Sequence, residues 1–211
     1  MLIVVAGTGT EVGKTWAGAR LAATLRDRGL SVQARKPAQS FEPDDPLEGT
    51  DAAQLGAATG EAPTTVCPEH RWYTVAMAPP MAADALGREP LALDVLVAEL
   101  DGSWGDAPAQ VQMVELAGGL WSPITHDGDC LELTQRLAPD AVVLVADAGL
   151  GTLNAIRPAV AALAPIAPVT TLLNRFDEAS DLHRRNLDWL VTRDDLDVVT
   201  SVEALADRLL R

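Results

Sequence analysis

The run Leu2-Ile3-Val4-Val5-Ala6 leads straight into Gly7-Thr8-Gly9-Thr10-Glu11-Val12-Gly13-Lys14-Thr15, and a helical pattern begins at Lys14. A short, β-branched apolar run of this kind predicts a strand buried on both faces. Glycines let the backbone close around an anion, and successive N–H groups and a helix N-terminus then point at it. A lysine reaches the terminal phosphates and a threonine hydroxyl can ligate Mg²⁺. The segment therefore predicts a nucleoside triphosphate site. Five residues separate Gly7 from Gly13, against the usual four. The strand before and the helix after carry the assignment against a plain Gly-rich turn.

Outward from this loop, Lys14 to Arg28 places Ala17, Leu21 and Leu25 on one helical stripe and Arg20, Thr24, Asp27 and Arg28 on the other, with Gly29 to stop it. Further apolar runs at Ser31 to Lys36, Gln112 to Leu116, Ala141 to Ala146, Pro168 to Asn174 and Asp197 to Thr200 predict strands. Thr152 to Leu163, Ala179 to Val191 and Val202 to Leu210 predict helices. The alternation argues a doubly wound α/β fold, a mainly parallel β-sheet flanked by helices, which binds ligands beyond the carboxyl ends of its strands. Phe41 to Gly49 and Asp101 to Pro108 read as exposed connections.

The 211 residues suit one domain, residues 1–211, at about 150 residues per domain. Apolar residues are 48% of the chain and charged residues 22%, the balance of a folded protein. A net charge of −14 makes nucleic acid and anionic membranes poor partners, so an anionic ligand must be held by local basic groups and N–H groups. The first residues lack the basic and long apolar regions of a signal peptide, no membrane span is evident, and a cytoplasmic location is expected. Two cysteines suit reduced thiols.

Lys36 ends the second predicted strand, at the same sheet edge as the phosphate loop. A lysine buried there needs an anion, and it would neutralise charge developing in phosphoryl transfer; the alternative is a solvated strand-end lysine. Mg²⁺ takes hard oxygen ligands shared with phosphates. Glu115, at the end of the third large strand and followed by Ala117-Gly118-Gly119, is the best acidic candidate. Asp51 either caps the helix Asp51 to Ala58 or ligates metal, and Glu11 can brace the loop. Cys67-x-x-His70 and His126-x-x-x-Cys130 supply soft ligands, but their separation favours ordinary histidines and buried thiols over zinc.

Taken together, Gly-Thr-Gly-Thr-Glu-Val-Gly-Lys-Thr, Lys-Pro-x-x-Ser, Thr-Asp-Ala, Val-Glu-x-Ala-Gly-Gly, Leu-Gly-Thr-Leu-Asn and a strand ending in Asn resemble the dethiobiotin synthetase family, in family order from residue 2 to about residue 176. The five-residue loop spacing is itself that family's form. The resemblance implies a three-layer P-loop NTPase fold. It also implies ATP- and Mg²⁺-dependent ring closure of 7,8-diaminononanoate with CO₂ or bicarbonate, through a carbamate and a carbamic-phosphoric anhydride, in biotin biosynthesis. It implies Lys14 and Lys36 as catalytic residues and Thr15, Asp51 and Glu115 around Mg²⁺. Nucleotide contacts would come from Thr10, Glu11, Val12, Gly13, Lys14, Thr15, Trp16, Asp51, Glu115, Gly118, Asn174 and Arg175, with Asn174 at the adenine edge. Ser40 would touch the diamine or its carbamate. Leu150, Gly151, Thr152, Leu153 and Asn154, at a helix N-terminus, would hold the substrate's distal carboxylate across the interface of a homodimer.

Three positions depart from the family pattern. Leu116 stands where glycine is usual and is expected to add bulk beside the nucleotide. Phe41, after Ser40, is expected to reshape the substrate mouth, and Trp16 is expected to pack in the core. The family's Gly-x-x-Pro is absent around Val198 to Val202. Competing classes are an amidoligase related to cobyrinic acid synthetases, which carries a glutaminase domain this length does not hold, and a partitioning-type switch ATPase. The latter is expected to carry an extra lysine early in the phosphate loop, where Thr8, Gly9 and Thr10 stand. A related ligase with altered diamine specificity is the third alternative.

Overall fold

A computed structural model describes residues 1–211. The strands are β1 (Leu2–Gly7), β2 (Val32–Arg35), β3 (Gln39–Ser40), β4 (Trp72–Tyr73), β5 (Val111–Glu115), β6 (Ala141–Asp147), β7 (Val169–Asn174) and β8 (Val198–Val199). The helices are α1 (Lys14–Asp27), α2 (Asp51–Thr59), α3 (Pro63–Val66), α4 (Pro79–Ala85), α5 (Leu93–Gly102), α6 (Cys130–Leu137), α7 (Thr152–Leu163), α8 (Asp181–Thr192) and α9 (Val202–Leu209). Six strands form one parallel sheet in the order β2-β5-β1-β6-β7-β8. The strand order reverses direction around β1, so the switch point lies at the carboxyl end of β1, where Gly7 starts the phosphate loop.

Both faces of the sheet are covered, which is why its strands read as continuous apolar runs. Alternation along β1 sends Val4 and Ala6 to one core cluster and Ile3 and Val5 to the other. The second cluster packs under α1, α2 and α9 through Leu21, Leu25, Leu55 and Leu205. The first packs under α5, α6 and α7 through Leu96, Leu133 and Ile156. The result is the expected three layers. No helix is long and apolar enough to cross a membrane.

Local chemistry explains where the elements stop. Strand β2 ends at Arg35, and the Lys36 N–H donates to the Val66 carbonyl at 2.8 Å rather than continuing the ladder. Helix α8 starts two residues later than its apolar pattern suggests because the Ser180 hydroxyl accepts from the His183 N–H. Helix α7 matches its expected span, opened by Gly151 in the left-handed region. The small parallel pair β3–β4 was not anticipated; it sets Gln39 opposite Trp72 and Ser40 opposite Tyr73 and carries both beside the cleft.

Candidate functional site

The phosphate loop is a run of unspent donors. The Thr8 N–H pairs with the Val145 carbonyl at 3.0 Å, and the Ala17 N–H with Gly13; between them, no backbone N–H from Gly9 to Trp16 donates to a protein atom. The loop is held from behind. Asn174 Nδ2 donates to the Val12 carbonyl at 2.9 Å and Arg175 Nη2 to the Glu11 carbonyl at 2.8 Å, tying two successive carbonyls away from the free N–H groups. Gly119 abuts the loop on another side, so closely that a Cβ there would lie 3.3 Å from Gly9 Cα. Lys14 Nζ donates to the Gly9 carbonyl at 2.8 Å. Such a run at a helix N-terminus is an anion site.

Beyond the loop lies a buried charge cluster. Lys36, only 3% exposed, places Nζ 2.6 Å from Asp51 Oδ2 and 2.6 Å from Glu115 Oε1. Thr15 Oγ1 lies 2.7 Å from Asp51 Oδ1 and 2.8 Å from Glu115 Oε1. One hydroxyl proton serves only one of those acceptors at a time. Glu115 Oε2 is buried without any partner. Burial alone would lower the Lys36 pKa, but Glu115 and Asp51 outweigh it and hold the ammonium above its ordinary range. Burial works to raise the Asp51 pKa, and Lys36 overcomes it and lowers it. Burial prevails at Glu115 and pushes its carboxyl up. At Lys14, burial and then Lys36 push the pKa down. Two carboxylates, one of them with an unpartnered oxygen, and a hydroxyl are the donor set a hard divalent cation takes when phosphates complete its shell, so these residues fit Mg²⁺.

Loop and cluster face one cleft of about 740 Å³. Of the residues singled out from sequence, it brings together Thr10, Glu11, Gly13, Lys14, Thr15 and Trp16 of the loop region with Lys36, Ser40, Asp51, Glu115, Gly118 and Arg175. A second cavity of about 440 Å³ adjoins it, with Trp16, Gly13 and Arg175 shared and Leu172, Asn174, Phe176 and Val202 on its walls. Val12 lies behind the loop, packed against the core. Leu150 to Asn154 are not on the wall of either cavity within one chain. Leu150 is 92% exposed there, and Thr152 Oγ1 is buried without a partner.

Several expectations are corrected. Thr50, not Asp51, caps α2, accepting from the Ala53 N–H; Asp51 is thereby free to face Lys36 and Thr15. Trp16 is 52% exposed beside both cavities instead of packing in the core, because its neighbours Ala17 and Gly18 take the sheet-facing side of α1. Leu116 turns its side chain into the core and offers the cleft only its carbonyl, 3.3 Å from Lys36 Nζ. Phe41 does not line the cleft; it packs edge-on against Trp72 at 6.2 Å. His70 faces Glu99 and His126 faces Asp84, while the Cys130 thiol donates to the Ala117 carbonyl. Burial pushes both Cys67 and Cys130 up to about 12, so they are neutral thiols near pH 7. Sequence reading missed the wall formed by Gln39, Gln54 and Ala76 to Pro79. The paired prolines Pro79-Pro80, which start α4, were the available signal for part of it.

A family model described as an AAA domain matches residues 2–207. The chain is 36% identical over 215 residues to the ATP-dependent dethiobiotin synthetase BioD of Rhodococcus jostii (strain RHA1), covering 99% of this chain and 88% of that one. It is 33% identical over 183 residues to the protein of the same name from Caulobacter sp. (strain K31), covering 85% and 78%. Among solved structures, cobyrinic acid a,c-diamide synthase from Mycobacterium smegmatis, with bound ATP analog and magnesium, matches over 100% of this chain and 94% of that one, with TM-score 0.58 and 17% identity. The septum site-determining protein MinD from Pyrococcus horikoshii OT3 matches over 95% and 79%, with TM-score 0.52 and 15% identity. The two structures establish a P-loop NTPase-like fold.

Proposed function

The chain belongs to the ATP-dependent dethiobiotin synthetase family, and from that premise we propose that it joins 7,8-diaminononanoate and CO₂ into dethiobiotin while converting ATP to ADP and inorganic phosphate. One amine nitrogen attacks CO₂ and loses a proton, forming a carbamate. A carbamate oxygen attacks the γ-phosphorus and ADP leaves. The neighbouring amine then attacks the carbonyl carbon of the mixed anhydride and inorganic phosphate leaves, closing the cyclic urea. Such a sequence asks the protein mainly for positioning and charge neutralisation.

The free N–H run from Gly9 to Trp16 would cradle the polyphosphate, and Lys14, released from the Gly9 carbonyl, would reach its terminal groups. Lys36 would turn from its carboxylates to the carbamate oxygen and the transferring phosphoryl group. Thr15, Asp51 and Glu115 would hold Mg²⁺, which supplies neutralisation of the phosphate charge when bound. The second cavity would take the adenine, with Asn174 Oδ1 still available to its edge because Nδ2 is committed to Val12. Ser40 would meet the substrate's reacting end. The distal carboxylate would be held by Leu150 to Asn154 of a partner subunit, making the working unit a homodimer. The single observation that carries this reading is the Lys36 ammonium, 2.6 Å from both carboxylates and on the wall of the same cleft as the unpaired N–H run.

Phosphate release by the purified protein tests it. Release is expected only with diamine, bicarbonate and Mg²⁺ together, with a cyclic urea appearing in the mass spectrum. Release without diamine and no cyclic urea contradicts the ligase and favours a switch ATPase.

A further inference from the structure

Gln39 has no role in the reaction derived so far, yet its environment is that of a ligand-binding group. It is 3% exposed and lines the cleft. Its Oε1 accepts from the Ala52 N–H at 3.0 Å, which fixes the orientation of the amide, since the flipped form would set two donors against each other. That leaves Nε2 as the free end, and Nε2 is buried with no partner. Ser40 Oγ, on the next residue, is buried and unpartnered too. Buried donors without acceptors are rare in folded proteins and call for a reason. The acceptor bond to the N-terminus of α2 also polarises the amide and strengthens it as a donor.

Three successive polar groups therefore sit along one short stretch of the cleft wall: the Lys36 ammonium, the Gln39 amide and the Ser40 hydroxyl. Two of them are unspent. Their common ligand is a small planar anion with more than one oxygen, presented beside the phosphate loop. Resting on the ligase reading above, we propose that Gln39 is a substrate-binding residue whose Nε2 donates to a carbamate oxygen. It holds that carboxylate in the orientation from which one oxygen attacks phosphorus, while Lys36 neutralises it. A γ-phosphate oxygen shares the same acceptor chemistry, so the test separates the two.

The decisive variants are Gln39→Glu, which keeps an acceptor for the Ala52 N–H but removes the donor, and Gln39→Met, which removes the donor without adding charge. Steady-state kcat and KM for diamine and bicarbonate are measured beside the affinity for a non-hydrolysable ATP analogue with Mg²⁺. Both variants are expected to lose at least tenfold in kcat/KM for diamine and bicarbonate, with analogue affinity within twofold of the parent. If Gln39→Glu does not fold, Gln39→Met decides. Unchanged kcat/KM in a folded variant overturns the assignment, and so does an equal loss of analogue affinity, which would put the amide on phosphate. A parent protein that makes no cyclic urea overturns the ligase reading along with it; an active parent with unchanged variants overturns the Gln39 assignment alone.

Discussion

The Lys36→Ala variant is expected to lose roughly 10²–10³-fold in turnover while binding Mg²⁺-nucleotide within a few-fold of the parent. The two effects separate because different groups supply them. Most of the nucleotide affinity comes from the unpaired N–H run, Lys14 and the adenine cavity; Lys36 exchanges its bonds to Asp51 and Glu115 for one to the γ-phosphate, so the bound complex gains little from it. Turnover needs a positive charge where the carbamate meets the phosphorus, and Lys36 is placed to supply it. The variant also leaves Glu115, 2% exposed, without its cation. Breaking a buried pair costs about 3–5 kcal/mol, or roughly 6–20 °C of melting temperature for a chain of this size. Mg²⁺ with nucleotide is expected to restore part of that loss, because a divalent ion between Asp51 and Glu115 replaces the missing ammonium. Unchanged turnover would remove Lys36 from the mechanism.

Gly13→Ala is expected to abolish useful nucleotide binding, with a loss of at least about 100-fold in affinity, equivalent to about 2.7 kcal/mol. Gly13 has φ 93° and ψ 32°, in the left-handed region that side chains avoid. A Cβ there would lie 2.1 Å from Asn174 Nδ2, so Asn174 must leave the Val12 carbonyl. That contact is one of two braces keeping the loop's carbonyls turned away from the anion site. Isothermal titration with an ATP analogue checks the loss. An affinity within twofold of the parent would show that the braces and the loop shape do not govern binding.

The parts of this molecule that were legible in its sequence are those where local pattern and global fold agree. β1, the phosphate loop and α1 announce themselves because apolar run, glycines and helical stripe fall in immediate succession. Lys36 and Glu115 were recognisable as strand-end charges at the ligand-binding edge of a parallel sheet. What escaped was set by tertiary contacts. The β3–β4 pair has two residues per strand, too few for periodicity, and its partners are far apart in sequence. Thr50 outcompeted Asp51 as the cap because Asp51 finds stronger partners in Lys36 and Thr15. Leu116 and Trp16 depend on the direction in which a side chain leaves the end of a strand or the first turn of a helix, and spacing does not report that. Gln39 fills an unspecified position of Lys-Pro-x-x-Ser and carried no signal there; only its one-sided hydrogen bonding marks it.

A nucleotide's phosphate tail is expected on the Gly9 to Trp16 N–H run, between Lys14 and Lys36. A crystal structure with a non-hydrolysable ATP analogue and Mg²⁺ measures this directly. The γ-phosphate is expected within hydrogen-bonding distance of both lysine Nζ atoms, with the metal bound by Thr15, Asp51 and Glu115 and the base in the cavity beside Trp16 and Phe176. A tail bound elsewhere, or Lys36 still clamped between its two carboxylates with the metal outside them, would contradict it.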